Sequence, residues 1–294
     1  MRYASLCSGL EAATVAWHPL GWQPVFFSEI DRAASRVLAH HYPSVPNYGD
    51  MTKFREWPHH GIDVCIAGTP CQEFSIGHAI NTGRAGEGFD GSRSGLAYAF
   101  ADVLDRYQPR WFIWENVKNV LAARYARGFA RFVERLAHGG YGCAWCVIDN
   151  RVFGPADQPR PRLYMVGYRG DLSPARAVLF EQEGPLGNCQ TKEEAAPVLT
   201  ARGGMALDDR TPCVLDGGRP RIATPLEWER AMGFPDNYTL LEGSRRPQAD
   251  GPRYKQLGNS MSVPVVQWLG RRIDEVSRRI DAELEANAIR GRAA

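Results

Sequence analysis

The sequence has no long apolar run. Nothing along its 294 residues approaches the stretch of about 20 apolar residues that a membrane-spanning helix needs. It also lacks the charged-then-apolar opening of a secretory leader, starting Met1-Arg2-Tyr3-Ala4-Ser5-Leu6-Cys7-Ser8-Gly9. Both absences predict a cytoplasmic protein. A strong charge of either sign is missing too: 35 Lys and Arg against 33 Asp and Glu leave a formal net charge of +2. The molecule as a whole does not advertise a polyanionic partner, so any nucleic-acid surface must be local. Arg160-Pro161-Arg162, Arg219 to Arg221 and Arg245-Arg246 are places for one, although charged runs are commonly solvated faces. A disulfide framework is excluded by arithmetic, because seven scattered cysteines are an odd number and fit a reducing compartment. Cys143-x-x-Cys146 has neither a second pair at zinc-ligand spacing nor a histidine cluster, so no metal site is expected. Internal repeats are absent as well.

What is present is ordinary globular material, 44% hydrophobic and 23% charged, enough to bury a real core. One large domain with a smaller companion is the natural expectation. Short apolar runs at Tyr3–Cys7, Gln23–Ser28, Asp63–Ala67, Trp111–Glu115, Cys143–Asp149 and Leu163–Tyr168 read as strands. Leu10–His18, Arg32–His41, Gly95–Arg106 and Ala130–His138 have helical spacing. That alternation predicts an α/β fold with a mostly parallel sheet covered by helices on both faces. From about residue 170 to 252, glycine, proline and charge dominate, which predicts a small irregular domain. An ordered pattern returns near Tyr254, and Val263–Ala286 reads as a closing amphipathic helix with Pro264 in its first turn.

Several motifs fall on the carboxyl edge of the expected sheet, where open α/β folds bind ligands. Ser5-Leu6-Cys7-Ser8-Gly9-Leu10-Glu11 joins the first strand to the first helix. With a single glycine it is equally compatible with a plain structural turn. Glu29 ends the second strand about 20 residues later, the place from which an acid accepts hydrogen bonds from a ribose diol. Cys71 lies in Gly68-Thr69-Pro70-Cys71-Gln72 after the third strand. A loop thiol there can act as a nucleophile if nearby groups favour its thiolate, although most cysteines are inert packing residues. Glu115 closes the next strand in Trp114-Glu115-Asn116-Val117, and taken alone would be a carboxylate at a helix N-terminus. Gln158-Pro159-Arg160-Pro161-Arg162 offers two guanidiniums that can hold a carboxylate or a phosphate.

In this order the segments resemble the cytosine-5 DNA methyltransferase family, most closely its phage and bacterial members. Thr224-Pro225-Leu226-Glu227-Trp228-Glu229-Arg230-Ala231-Met232-Gly233-Phe234-Pro235-Asp236 and Gln256-Leu257-Gly258-Asn259-Ser260 complete a likeness running from residue 1 to about 268. The resemblance implies a Rossmann-like fold using S-adenosyl-L-methionine, with a discontinuous catalytic domain (1–169 with 253–294) and a target-recognition domain at 170–252. It implies double-stranded DNA as substrate, a monomer, and a restriction-linked or phage-protective setting. Cys71 would add to carbon 6 of a flipped cytosine so that carbon 5 takes the methyl group, with Gln72 beside it. Glu115 would hold the N3 and amine edge of the base, Asn116 and Arg162 would orient it, and Arg160 would brace a loop or a phosphate. The cofactor would lie across Leu6, Cys7, Gly9, Leu10, Glu29, Ile30, Asp50, Met51, Pro70 and Leu96, with Asn259, Ser260 and Met261 returning from the C-terminal segment.

This chain departs from the family pattern in places. Cys7 stands where the family has phenylalanine, Glu11-Ala12 replaces a glycine pair, and Met261 stands for valine. Only residues 170–195 separate the Arg162 strand from Ala196-Pro197-Val198-Leu199-Thr200-Ala201-Arg202-Gly203-Gly204, the usual start of the next family segment. So short a recognition region implies few base-edge contacts and hence a short or relaxed site, or help from a protein partner. Two alternatives stay open: an RNA cytosine-5 methyltransferase, told apart by which nucleic acid accepts label, and a silent binding protein that holds the cofactor without turnover.

Overall fold

The computed structural model describes residues 1–70, 89, 95–153, 160–180, 213–216, 219–241 and 249–293. Six strands form one sheet: β1 (Arg2–Leu6), β2 (Gln23–Ser28), β3 (Val64–Gly68), β4 (Trp111–Val117), β5 (Tyr141–Asp149) and β6 (Pro161–Arg169), in the order β2-β1-β3-β4-β6-β5. The pairings of β1 with β2, β1 with β3 and β3 with β4 are parallel, while β6 runs antiparallel to both its neighbours. The expected mostly parallel sheet is therefore present with one reversed strand. The link 150–160 holds only a short 3-10 turn among its described residues, so β5 and β6 pair as neighbours instead of crossing over.

The helices are α1 (Ala12–Trp17), α2 (Arg32–His41), α3 (Gly95–Tyr107), α4 (Ala126–His138), α5 (Ser173–Phe180), α6 (Pro225–Met232), α7 (Asp250–Asn259) and α8 (Val263–Ala293). Strand residues alternate between two cores. Tyr3, Val64, Ile66, Trp111, Ile113, Tyr164 and Val166 pack on one face with apolar residues of α1, α5 and α8. Ala4, Leu6, Cys65, Ala67, Phe112, Trp114, Leu163 and Met165 pack on the other with α3 and α4. Helix α8 sits close on α1: a Cβ on Gly270 would lie 2.3 Å from Trp17 Nε1, which instead donates to Val266 O at 2.9 Å. The alternation also settles the Cys143/Cys146 pair. Cys143 packs with the α3/α4 core and Cys146 with the opposite one, so the two thiols face away from each other across the sheet.

The compositional division at 170–252 does not coincide with a break in packing. Ala175, Ala177, Val178 and Leu179 of α5, and Ala223, Trp228, Met232, Phe234 and Tyr238, share the core of Tyr3, Trp17 and Val266. Helix α6 has a complete capping box, in which Thr224 Oγ1 accepts from Glu227 N and Glu227 accepts from Thr224 N. Strands β7 (Cys213–Asp216) and β8 (Arg219–Ile222) form a separate antiparallel pair. Among the described residues, no helix is long and apolar enough to cross a membrane.

Candidate active site

The carboxyl ends of β1, β2, β3 and β4 open onto one cavity of about 280 Å³. The reversal of β6 brings its beginning to this same edge, which puts Arg160 and Arg162 beside Glu115; a parallel strand would have carried them to the far side.

After β1 the chain turns through two residues and a glycine with positive φ: Cys7 (50°), Gly9 (55°) and Glu11 (64°). Glu11 occupies the left-handed region that favours glycine, and its side chain repays part of that cost by capping α1. Its Oε1 accepts from Thr14 N and Thr14 Oγ1, both at 3.1 Å, while Oε2 is buried without a partner. Burial pushes this carboxyl up to about 7. Across the turn, Glu29 takes Gly9 N on Oε2 (2.8 Å) and Asp31 N on Oε1 (2.7 Å), tying the ends of β1 and β2 together. Each carboxylate oxygen accepts two hydrogen bonds, so both keep capacity toward the cavity. Beside it, Ile30 lines the wall with 73% of its surface exposed. Asp50 caps the following 3-10 turn through Thr52 N, which holds its carboxyl low.

At the other end Glu115 is only 8% exposed. Arg162 Nε lies 3.4 Å from Glu115 Oε1, one diagonal step away on the same sheet face. Burial raises the Glu115 carboxyl, and the positive charges of Arg162 and Arg160 offset only part of that rise. Gly68 makes room for the acid: a Cβ there would stand 2.9 Å from Met261 Cε and 3.3 Å from Glu115 Oε2. Arg160, 3% exposed, donates to Gly258 O and Ser260 O, both at 2.8 Å, and so fastens the turn between α7 and α8 to the sheet.

The cavity wall includes Cys7, Gly9, Glu29, Ile30, Asp50, Met51, Pro70, Leu96 and Asn259 from the expected cofactor residues, and Glu115, Arg160 and Arg162 from the expected catalytic ones. Ser260 and Met261 line an adjoining recess with Cys7, Gly9 and Asn259. Leu6 and Leu10 are not brought to the wall; both are fully buried in the cores behind the turn, and Leu10 O accepts from Tyr238 Oη. Asn116 points to the opposite sheet face from Glu115. Its amide donates to Thr69 O (3.2 Å) and Thr69 Oγ1 (3.1 Å), and Trp114 Nε1 also donates to Thr69 Oγ1. It therefore anchors the base of the loop that continues into Pro70. Cys71, Gln72 and Gln158 lie outside the described residues. The thiols of Cys7, Cys143 and Cys146 are pushed up to about 12 by burial, and Cys65 is raised likewise, so none of these four competes as a thiolate. Sequence reasoning gave no role to Lys255 or Gln256, which also line the cavity. Their signal was helical spacing, since Gln256 stands one turn before Asn259.

Comparison with known proteins places this geometry in a wider set. The model of C-5 cytosine-specific DNA methylases matches residues 1–202 and 188–275. A protein of Escherichia phage P1 named a DNA N-6-adenine-methyltransferase is 26% identical over 92% of this chain, which spans 61% of that protein's length. Type II methyltransferase M.HpaII of Haemophilus parainfluenzae is 27% identical, covering 93% of this chain and 89% of its own. In fold, the chain superposes on the S. pombe Dnmt2 methyltransferase with a TM-score of 0.68 at 16% identity, covering 94% of this chain and 99% of that one.

Proposed function

We infer the reaction from one premise, that this chain belongs to the C-5 cytosine-specific DNA methylase family: it transfers a methyl group to carbon 5 of cytosine in double-stranded DNA. The observation that carries the reading is the pairing of a buried acid with two arginines, Glu115 with Arg160 and Arg162, in the same cavity as Glu29. The adenine activity in the phage P1 relative's name stays with that protein, much of whose length this chain does not span.

The residues fit S-adenosyl-L-methionine as methyl donor. Glu29 has spare acceptor capacity for a ribose diol, and Ile30 lays an apolar face open beside it for a purine. Asp50, Met51, Pro70 and Leu96 would complete that end of the site. When bound, the cofactor supplies an electrophilic methyl group. Cys71, one residue beyond Pro70 on the cavity wall, would attack carbon 6 of the base and leave after the methyl is in place. Glu115, raised by burial, would share its proton with the N3 edge so that negative charge does not accumulate on the ring. Arg162 would fix the Glu115 carboxyl, Arg160 would keep the 258–260 turn in place, and Asn116 would hold the loop base through Thr69. The base must leave the stacked duplex to reach this cavity. The chain acts as a monomer, and its short 170–195 stretch favours a relaxed target or a protein partner for recognition.

Labelled methyl transfer to mixed-sequence DNA, with RNA as a parallel acceptor, tests this directly. Label on DNA cytosine that disappears in Cys71→Ala is the expected result. Label on RNA alone, or on DNA at undiminished rate in Cys71→Ala, would overturn it.

A further inference from the structure

One side chain in the cavity wall has no role in the fold. Gln256 stands in the last turns of α7, is 7% exposed, and neither its Oε1 nor its Nε2 has a hydrogen-bond partner in the structure. Its helix is otherwise well paired. Tyr254 Oη donates to Ala223 O at 2.8 Å, Lys255 Nζ reaches Asp31 Oδ2 at 2.9 Å, and Arg253 Nε donates to Thr239 Oγ1 at 2.8 Å. Buried polar groups are paired in the great majority of cases, so an unpaired carboxamide facing a cavity marks a place where a ligand supplies the partner.

The remaining question is which part of a ligand it meets. Glu29 and Ile30 suit a ribose and a purine, while Glu115 and Arg162 suit the edge of a base. What these groups leave unmatched in S-adenosylmethionine is its amino-acid end, which carries an ammonium and a carboxylate together. A carboxamide serves both, since Nε2 donates to a carboxylate, Oε1 accepts from an ammonium, and its neutrality repels neither. Gln256 and Asn259 are one helical turn apart on the cavity side of α7. Asn259 also borders the recess under the β1–α1 turn, whose other walls are Ser5, Ser8 and Ala13. The nearest lysine, Lys255, is engaged with Asp31 and leaves this stretch of wall to neutral amides.

We propose that Gln256 binds the amino-acid end of S-adenosylmethionine through its carboxamide, an assignment that rests on the methyltransferase reading above. It is tested by direct binding of two ligands, measured calorimetrically on the full chain. S-adenosylhomocysteine carries the amino-acid end, and 5′-methylthioadenosine shares the adenosine but lacks that end. Gln256→Met should weaken S-adenosylhomocysteine by about ten-fold, the effect of one hydrogen bond to a charged group, and leave 5′-methylthioadenosine within about two-fold. Retained binding of the second ligand also shows that the variant folds. Gln256→Glu, which sets a carboxylate against a carboxylate, should weaken S-adenosylhomocysteine further with the same indifference to 5′-methylthioadenosine. Equal losses for both ligands, or no loss for either, would overturn the assignment. Failure of the unsubstituted protein to bind either ligand would instead overturn the cofactor reading on which it rests.

Discussion

Replacing Glu11 by glutamine should make the protein's stability less sensitive to pH, by an amount that can be worked from its surroundings. The carboxyl is fully buried, with Oε1 occupied by Thr14 and Oε2 unpaired, and burial lifts it from an ordinary 4.5 to about 7. A carboxyl raised on folding binds its proton more tightly in the native state. Its unfavourable contribution is therefore absent below 4.5, grows as pH rises, and is complete above about 7. Linkage over that interval gives a cost of about 1 kcal/mol at pH 5 and about 3 kcal/mol at pH 8. Glutamine keeps the Oε1 acceptor for Thr14 but buries an amine in place of Oε2, a roughly 1–3 kcal/mol penalty that does not vary with pH. The stability of Glu11→Gln relative to the parent should thus climb by about 2–3 kcal/mol between pH 5 and pH 8, whatever its absolute sign. Urea unfolding at pH 5, 6, 7 and 8, with unchanged slope, reads this difference. A constant offset across that range would refute the reasoning, because it would mean that Glu11 does not titrate on folding in this window.

The other expectations concern the cavity. Glu115→Gln should lower methyl transfer by about 10²-fold or more while sparing S-adenosylhomocysteine binding. In the parent, the rate should fall as pH rises through the elevated Glu115 value, and that descending limb should be missing from the variant's pH–rate profile. Arg160→Met removes the donors that Gly258 O and Ser260 O share, so denaturant titration should show a loss of roughly 3 kcal/mol and binding assays a weaker cofactor.

The parts of the fold legible in the sequence were those with a local cause. Strand Gln23–Ser28 and helix Arg32–His41 fall where periodicity predicts them, the helix starting after Asp31, whose carboxylate caps Ala33 N and Ala34 N. Helix α4 begins at Ala126, ahead of the expected Ala130, because Arg127-Gly128 reads as a break, whereas Gly128 packs its backbone against Phe89. The reversal of β6 left no trace in periodicity, since alternation reports which faces are buried but not strand direction. The 170–252 stretch looked separate because its glycines and prolines mask apolar residues, Trp228, Met232 and Phe234 among them, that reach the main core. Within the site, Glu29 and Glu115 were readable from their places at strand ends. Leu6, Leu10 and Asn116 shared those motifs, but pleating turned Leu6 and Asn116 to the far face of the sheet and packing took Leu10 into the core.

The Lys255–Asp31 and Trp17–Val266 contacts join parts of the chain 224 and 249 residues apart. Such closures come late in folding, because the entropy of bringing distant segments together must be met before their contacts form. A ribosome-bound chain that has completed β1 to β6 still lacks the wall made by Gln256 and Asn259, so it emerges unable to hold a methyl donor. Competence then arrives at once with α7 and α8, and a nascent chain makes no methylation until its last helices dock.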